Sequence, residues 1–127
     1  MGLMDMRREN FDHGFGALAW KKAKDEALII LRQRAKRCDP ITYSELASKI
    51  SAVQMEPHDP RLAHFLGELS TDEHEGGRPL ITALVVHKHD LQPGKGFFDL
   101  SRSLGYSFVD EIEFWSEQLD RLRAQWK

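Results

Sequence analysis

The apolar positions of this chain fall into blocks with different spacings. From Ala17 to Arg37, Trp20, Ala23, Ala27, Leu28, Leu31 and Ala35 recur on one face, with Lys21, Lys22, Lys24, Arg32 and Lys36 elsewhere. That spacing predicts a long amphipathic helix. Arg34, Lys36 and Arg37 suit its negative end, and Asp39-Pro40 stops it. Thr42-Tyr43-Ser44-Glu45 is a capping-box pattern, opening a short helix that buries Leu46, Ala47 and Ile50. Asp59-Pro60 caps a second short helix, marked by Leu62, Phe65, Leu66 and Leu69. This helix is expected to dissolve into an acidic, flexible loop over residues 71–77.

Leu80 to His87 is rich in apolar and β-branched residues and predicts a strand buried on both faces. Gln92-Pro93-Gly94-Lys95-Gly96 reads as a turn, followed by a short helix to Leu104 that Gly105 closes. Ser107 and Asp110 suggest a further cap. Ile112, Trp115, Leu119, Leu122 and Trp126 then form the apolar stripe of a last amphipathic helix. The order predicts an α+β fold, mainly helical, with a winged-helix-like core between N- and C-terminal amphipathic helices. Residues 1–16 show no period and are expected to be a mobile N-terminal arm, with a single domain over 17–127.

Composition narrows the class. The chain has 127 residues, 41% hydrophobic and 30% charged, which suits one globular domain with its own core. The lone Cys38 precludes an internal disulfide and fits a reducing, cytoplasmic setting. The first residues lack the apolar run of a secretory signal, and no apolar stretch reaches membrane-spanning length. Charge is uneven. Residues 1–40 hold nine Lys/Arg against six Asp/Glu, and residues 41–90 hold four against eight. Only the first third is basic, which argues against strong nonspecific nucleic-acid binding.

The stretch Ile41-Thr42-Tyr43-Ser44-Glu45-Leu46-Ala47 resembles the opening of the DNA-binding domain of alkylguanine-DNA alkyltransferases and alkyltransferase-like proteins. Phe65-Leu66-Gly67-Glu68-Leu69 is similar to the glycine-containing end of that domain's recognition helix. Val85-Val86 is similar to its Val-Val strand, and Pro93 to Gly105 to its glycine turn and short helix. The resemblance spans Ile41 to Gly105, about half of the chain, and implies a winged-helix DNA-binding fold. The family's catalytic cysteine falls on Thr82, followed by Ala83 and Leu84 instead of His and Arg. Cys38 lies before the motif, so alkyl transfer by the family's mechanism is not expected. The family's base-stack arginine falls near Ala63, with Arg61 two residues earlier, and only Tyr43 matches among its DNA-contacting residues.

Gly94, Lys95 and Gly96 offer a tight turn, close backbone approach and one charge, as a wing tip touching phosphate would. The alternative is a plain turn with a solvated lysine. No Walker A motif is present. His87 and His89 share one side of an extended chain, yet no metal-ligand spacing accompanies them, and neither a metal nor a cofactor is expected. Trp115 and Trp126 fit core packing first and a homodimer contact through the last helix second.

Two functions follow as expectations. The first is a non-enzymatic winged-helix module that binds DNA through Tyr43, Arg61, Gly94, Lys95 and Gly96, as a regulator or an accessory of a repair or defence system. The second is a protein-interaction module, such as an acidic immunity- or antitoxin-like inhibitor, in which Glu68, Asp72, Glu73 and Glu75 meet a basic partner.

Overall fold

The computed structural model describes residues 13–127, and the fold is mainly helical with one two-stranded sheet. Helix α1 runs Ala17–Arg37 and buries Trp20, Ala23, Ala27, Leu31 and Ala35. The alanines leave room for neighbours at close range, and α5 and the segment around Ile81–Leu84 pack there. Cys38 takes a left-handed conformation after the helix. The N–H groups of Cys38 and Asp39 then close off the carbonyls of Ala35 and Arg34 at 3.2 and 3.0 Å.

Strand β1, Ile41–Thr42, leads directly into α2, Tyr43–Lys49. The Thr42 hydroxyl accepts the Glu45 N–H at 3.1 Å, as the capping pattern predicts. Helix α3 is Pro60–Glu75, with Asp59 accepting the Arg61 N–H at 2.8 Å. A 3₁₀ turn at Ile81–Leu84 precedes β2, Val85–Val86, which pairs in parallel with β1 (Ile41 opposite Val85, Thr42 opposite Val86). Helices α4, Lys95–Ser103, and α5, Glu111–Trp126, complete the order. Asp110 caps α5 by accepting the Glu113 N–H at 3.0 Å.

Four expectations are corrected. Helix α3 does not dissolve at Thr71. It continues to Glu75, because Glu68 and Glu73 are drawn inward by cations and Gly76-Gly77 supply the stop, with Gly77 at φ 78. The Leu80–His87 segment is a strand only at Val85–Val86. Its residues from Leu80 to Val86 are all buried, so no sequence period separates strand from helix there. Side chains take its polar groups in place of a ladder. Gln118 Oε1 accepts the Leu80 N–H at 3.0 Å, Ser70 Oγ accepts the Thr82 N–H at 3.2 Å, and Trp115 Nε1 donates to the Ala83 carbonyl at 2.8 Å. Gly96 belongs to the first turn of α4, not to a preceding turn. Finally, the expected stripe of α5 packs inward at Trp115, Leu119, Leu122 and Trp126 but not at Ile112, which is 47% exposed, and Phe114 and Gln118 are buried beside it.

Of the expected mobile arm, residues 1–12 lie outside the described residues. Residues 13–16 are docked, His13 against His64 and Phe15 stacked on Trp20.

Candidate functional site

A cleft of about 820 Å³ lies between α3 and α4. Leu62, Ala63, Leu66, Gly67 and Thr71 form one wall, and Lys95, Gly96, Phe97 and Leu100 the other. Thr82 also lines it, and Tyr43, His87 and Gly94 close one end. The volume falls in the range of small-molecule pockets, and the mixture of apolar walls with a few polar groups is that of a binding site.

The closed end is built from α2 and the chain after β2. The Tyr43 hydroxyl accepts the Gly94 N–H at 3.1 Å, and its ring lies 4.7 Å from that of His87. Burial raises the Tyr43 pKa above the ordinary phenol value, partly offset by that N–H donor. A Cβ on Gly94 would meet His87 Nε2 at 2.9 Å and the Tyr43 oxygen at 3.3 Å. Gly94 therefore serves close approach, as its place in the motif predicts, but the approaching groups are a phenol and an imidazole of the same chain. A Cβ on Gly96 would meet nothing within 4 Å.

Lys95 stands at the rim with 86% of its side chain exposed, 2.7 Å from Asp99 one turn later. Arg61 lies beside the α3 wall. Its Nε and Nη2 grip Asp59 at 2.9 and 2.7 Å, and its guanidinium sits 5.0 Å from the centre of the Phe15 ring. The Arg61 hydrogen bonds, with the cap N–H, hold the Asp59 carboxyl down at about 2. Four of the five residues expected to contact DNA, Tyr43, Gly94, Lys95 and Gly96, thus line this cleft, and the fifth flanks it.

Of the four acids named for a basic partner, Glu68 and Glu73 face inward. Glu68 is 5% exposed: its Oε1 accepts from Trp20 Nε1 at 3.0 Å and Lys24 Nζ at 3.1 Å, and His64 Nε2 lies 3.2 Å from Oε2, off line for a good hydrogen bond. Glu73 is 1% exposed, held by Arg32 at 3.1 Å and Arg78 at 2.9 Å. Asp72 is half exposed and joins Lys24 at 2.9 Å, while Glu75 is exposed at the cleft. Burial works against the Lys24 ammonium, but Asp72 and Glu68 outweigh it and raise its pKa. The uneven charge count is thus an internal pairing of the basic first helix with the acidic third. The i,i+4 spacing of His64, Glu68 and Asp72 was the available sequence signal for it.

The tryptophans of α5 are likewise engaged within the chain. Trp115 donates to Ala83, and the Arg32 guanidinium lies 4.3 Å from the centre of the Trp126 ring. His87 and His89 stack at 5.4 Å, and among the described residues no three potential metal ligands converge. Glu26 is a residue that sequence reasoning passed over. It accepts the N–H groups of Ser51 and Ala52 and the Ser51 hydroxyl, which lowers its pKa and fixes the chain after α2.

Thr82 is buried and shares a hydroxyl–hydroxyl hydrogen bond with Ser70. Cys38 is exposed at the end of α1 and does not line the cleft. No helix of the described residues is long and apolar enough to cross a membrane. The chain matches no protein-family model, no curated protein and no solved structure.

Proposed function

We propose that the chain is a non-enzymatic DNA-binding module of winged-helix-like build, in which the cleft takes one unstacked base. In this reading α2 and α3 approach the groove, the segment between β2 and α4 acts as the wing, and Lys95 and Arg61 meet the backbone. The module serves as a cytoplasmic regulator or as an accessory of a repair or defence system. The observation that carries the proposal is the convergence of Tyr43, Gly94, Lys95 and Gly96 on one cleft. Tyr43 was chosen on the resemblance, and Gly94, Lys95 and Gly96 on the chemistry of a glycine turn with one charge.

The energetics are reasonable. Extruding a base costs a few kcal/mol, least where it is unpaired. Stacking on aromatic groups returns about 1–3 kcal/mol per base, and Tyr43, His87 and Phe97 are among the rings that line the cleft. Thr82 presents no thiol, so the module would hold a base without transferring a group to the protein.

The test is fluorescence anisotropy of a labelled duplex with one unpaired nucleotide against its fully paired counterpart, over a range of salt concentrations. Tighter binding of the unpaired duplex is expected, weakening linearly in log salt. Lys95→Glu should weaken both complexes and flatten the salt slope by about one contact. Ala63→Trp, which fills the cleft, should remove the preference but leave the slope. Absence of binding to either duplex at low salt would sink the proposal.

A further inference from the structure

We infer that His13 and His64 form a pH-operated latch, which holds residues 13–16 against the start of α3 and opens when both imidazoles are protonated. The inference stands whatever the cleft binds. His13 Nε2 and His64 Nδ1 are 2.9 Å apart, with the rings edge to face at 4.9 Å. A hydrogen bond between two imidazoles needs one N–H and one lone pair. His64 Nε2 also lies 3.2 Å from Glu68 Oε2, off line for a good hydrogen bond, so the His13–His64 contact is satisfied with either ring as donor. One protonated ring still leaves a donor and an acceptor in this contact. Two protonated rings leave only donors facing each other, with like charges in contact.

The neighbourhood decides the sense of the switch. His13 meets the Trp20 ring from α1 at 5.5 Å. From α3 and its cap it faces His64, Arg61, Glu68 and Asp59, and Lys24 and Asp72 complete the same charge cluster. Burial disfavours the His13 imidazolium most, His64 and Arg61 add to this, and Glu68 and Asp59 only partly offset it. The docked pKa therefore lies below the ordinary imidazole value. His13 binds its proton more tightly when undocked, so the latch is fully closed above the ordinary value and loosens as the pH falls through it.

The backbone turns here on glycine. Gly14 and Gly16, at φ 84 and 96, flank Phe15 with left-handed backbone that glycine adopts at no steric cost. His13 itself is held at φ 55, a strained conformation for a residue with a side chain. When the latch opens, Phe15 leaves Trp20, and Arg61 loses its aromatic cover.

Histidine ring NMR on the full chain, from about pH 7.5 to about pH 5, tests the latch across the imidazole range. His13→Gln identifies the His13 signal. The His13 midpoint should lie below the ordinary value, and the His13–His64 and Phe15–Trp20 ring contacts should vanish with that midpoint. In His64→Gln the His13 midpoint should rise. If that variant does not fold, Arg61→Gln removes the other positive neighbour and should also raise it. Ring contacts that survive below the His13 midpoint, or a midpoint indifferent to the folded variant, would overturn the inference.

Discussion

Two seams hold this molecule together by opposite means. Between α1 and α3 the contacts are ionic: Glu68 and Glu73, almost fully buried, meet Lys24, Arg32, Arg78 and the Trp20 indole. Between α4 and α5 they are aromatic. Phe97, Phe98, Tyr106, Phe108 and Phe114 form a chain of ring contacts, the closest being Phe108 stacked on Phe114 at 4.0 Å. The aromatic seam gains from apolar area removed from water and tolerates small shifts. The ionic seam gains little net energy but penalises every misaligned arrangement, since a buried carboxylate without its cation is costly. The aromatic seam supplies stability, and the ionic seam fixes which helix face meets which.

Five substitutions probe these roles. The largest effect is expected from Phe114→Ala, which opens a cavity among three rings and should cost about 3–5 kcal/mol in urea unfolding. That cost should be insensitive to added salt. Next, Glu73→Ala should cost about 3 kcal/mol by leaving Arg32 and Arg78 facing a buried gap. Adding Arg32→Met to it should recover part of the loss. If the double variant is weaker by the sum of both single costs, Arg32 and Glu73 are uncoupled and their pairing does not specify the packing. The smallest effect concerns the ends of the aromatic seam. Asp110→Ala removes the α5 cap for about 1 kcal/mol, whereas Lys95→Ala, breaking an exposed pair, should change stability by less than about 0.5 kcal/mol.

The same contrast explains what could be read in advance. Caps at Thr42, Asp59 and Asp110 act within three residues, so local sequence suffices to find them. The stripe of α1 was legible because its alanines and Trp20 follow one period. The end of α3 was not. Thr71-Asp72-Glu73-His74-Glu75 looks like a solvated loop until cations 41 and 48 positions away draw it into a helix. The segment from Leu80 was misassigned because its hydrogen-bond partners are side chains on α3 and α5, which no local pattern reveals. At the candidate site, Tyr43 and the Gly94 to Gly96 motif were found, and the resemblance brought out Thr82. Of the acids nominated for a partner, Glu68 and Glu73 face inward while Asp72 and Glu75 stay at the surface, because charge counts along a chain do not tell inside from outside.

The side-chain partners of the Leu80–Val86 segment also bear on synthesis. The segment leaves the ribosome well before the residues that satisfy it, because Trp115 and Gln118 follow some thirty positions later. Until α5 emerges, the growing chain carries its most apolar stretch with the Leu80 N–H and the Ala83 carbonyl unpaired. The core of this protein can close only after α5 has emerged. A ribosome stalled before Gln118 would hold a nascent chain suited to chaperone capture, and emergence of α5 would be the step that ends that exposure.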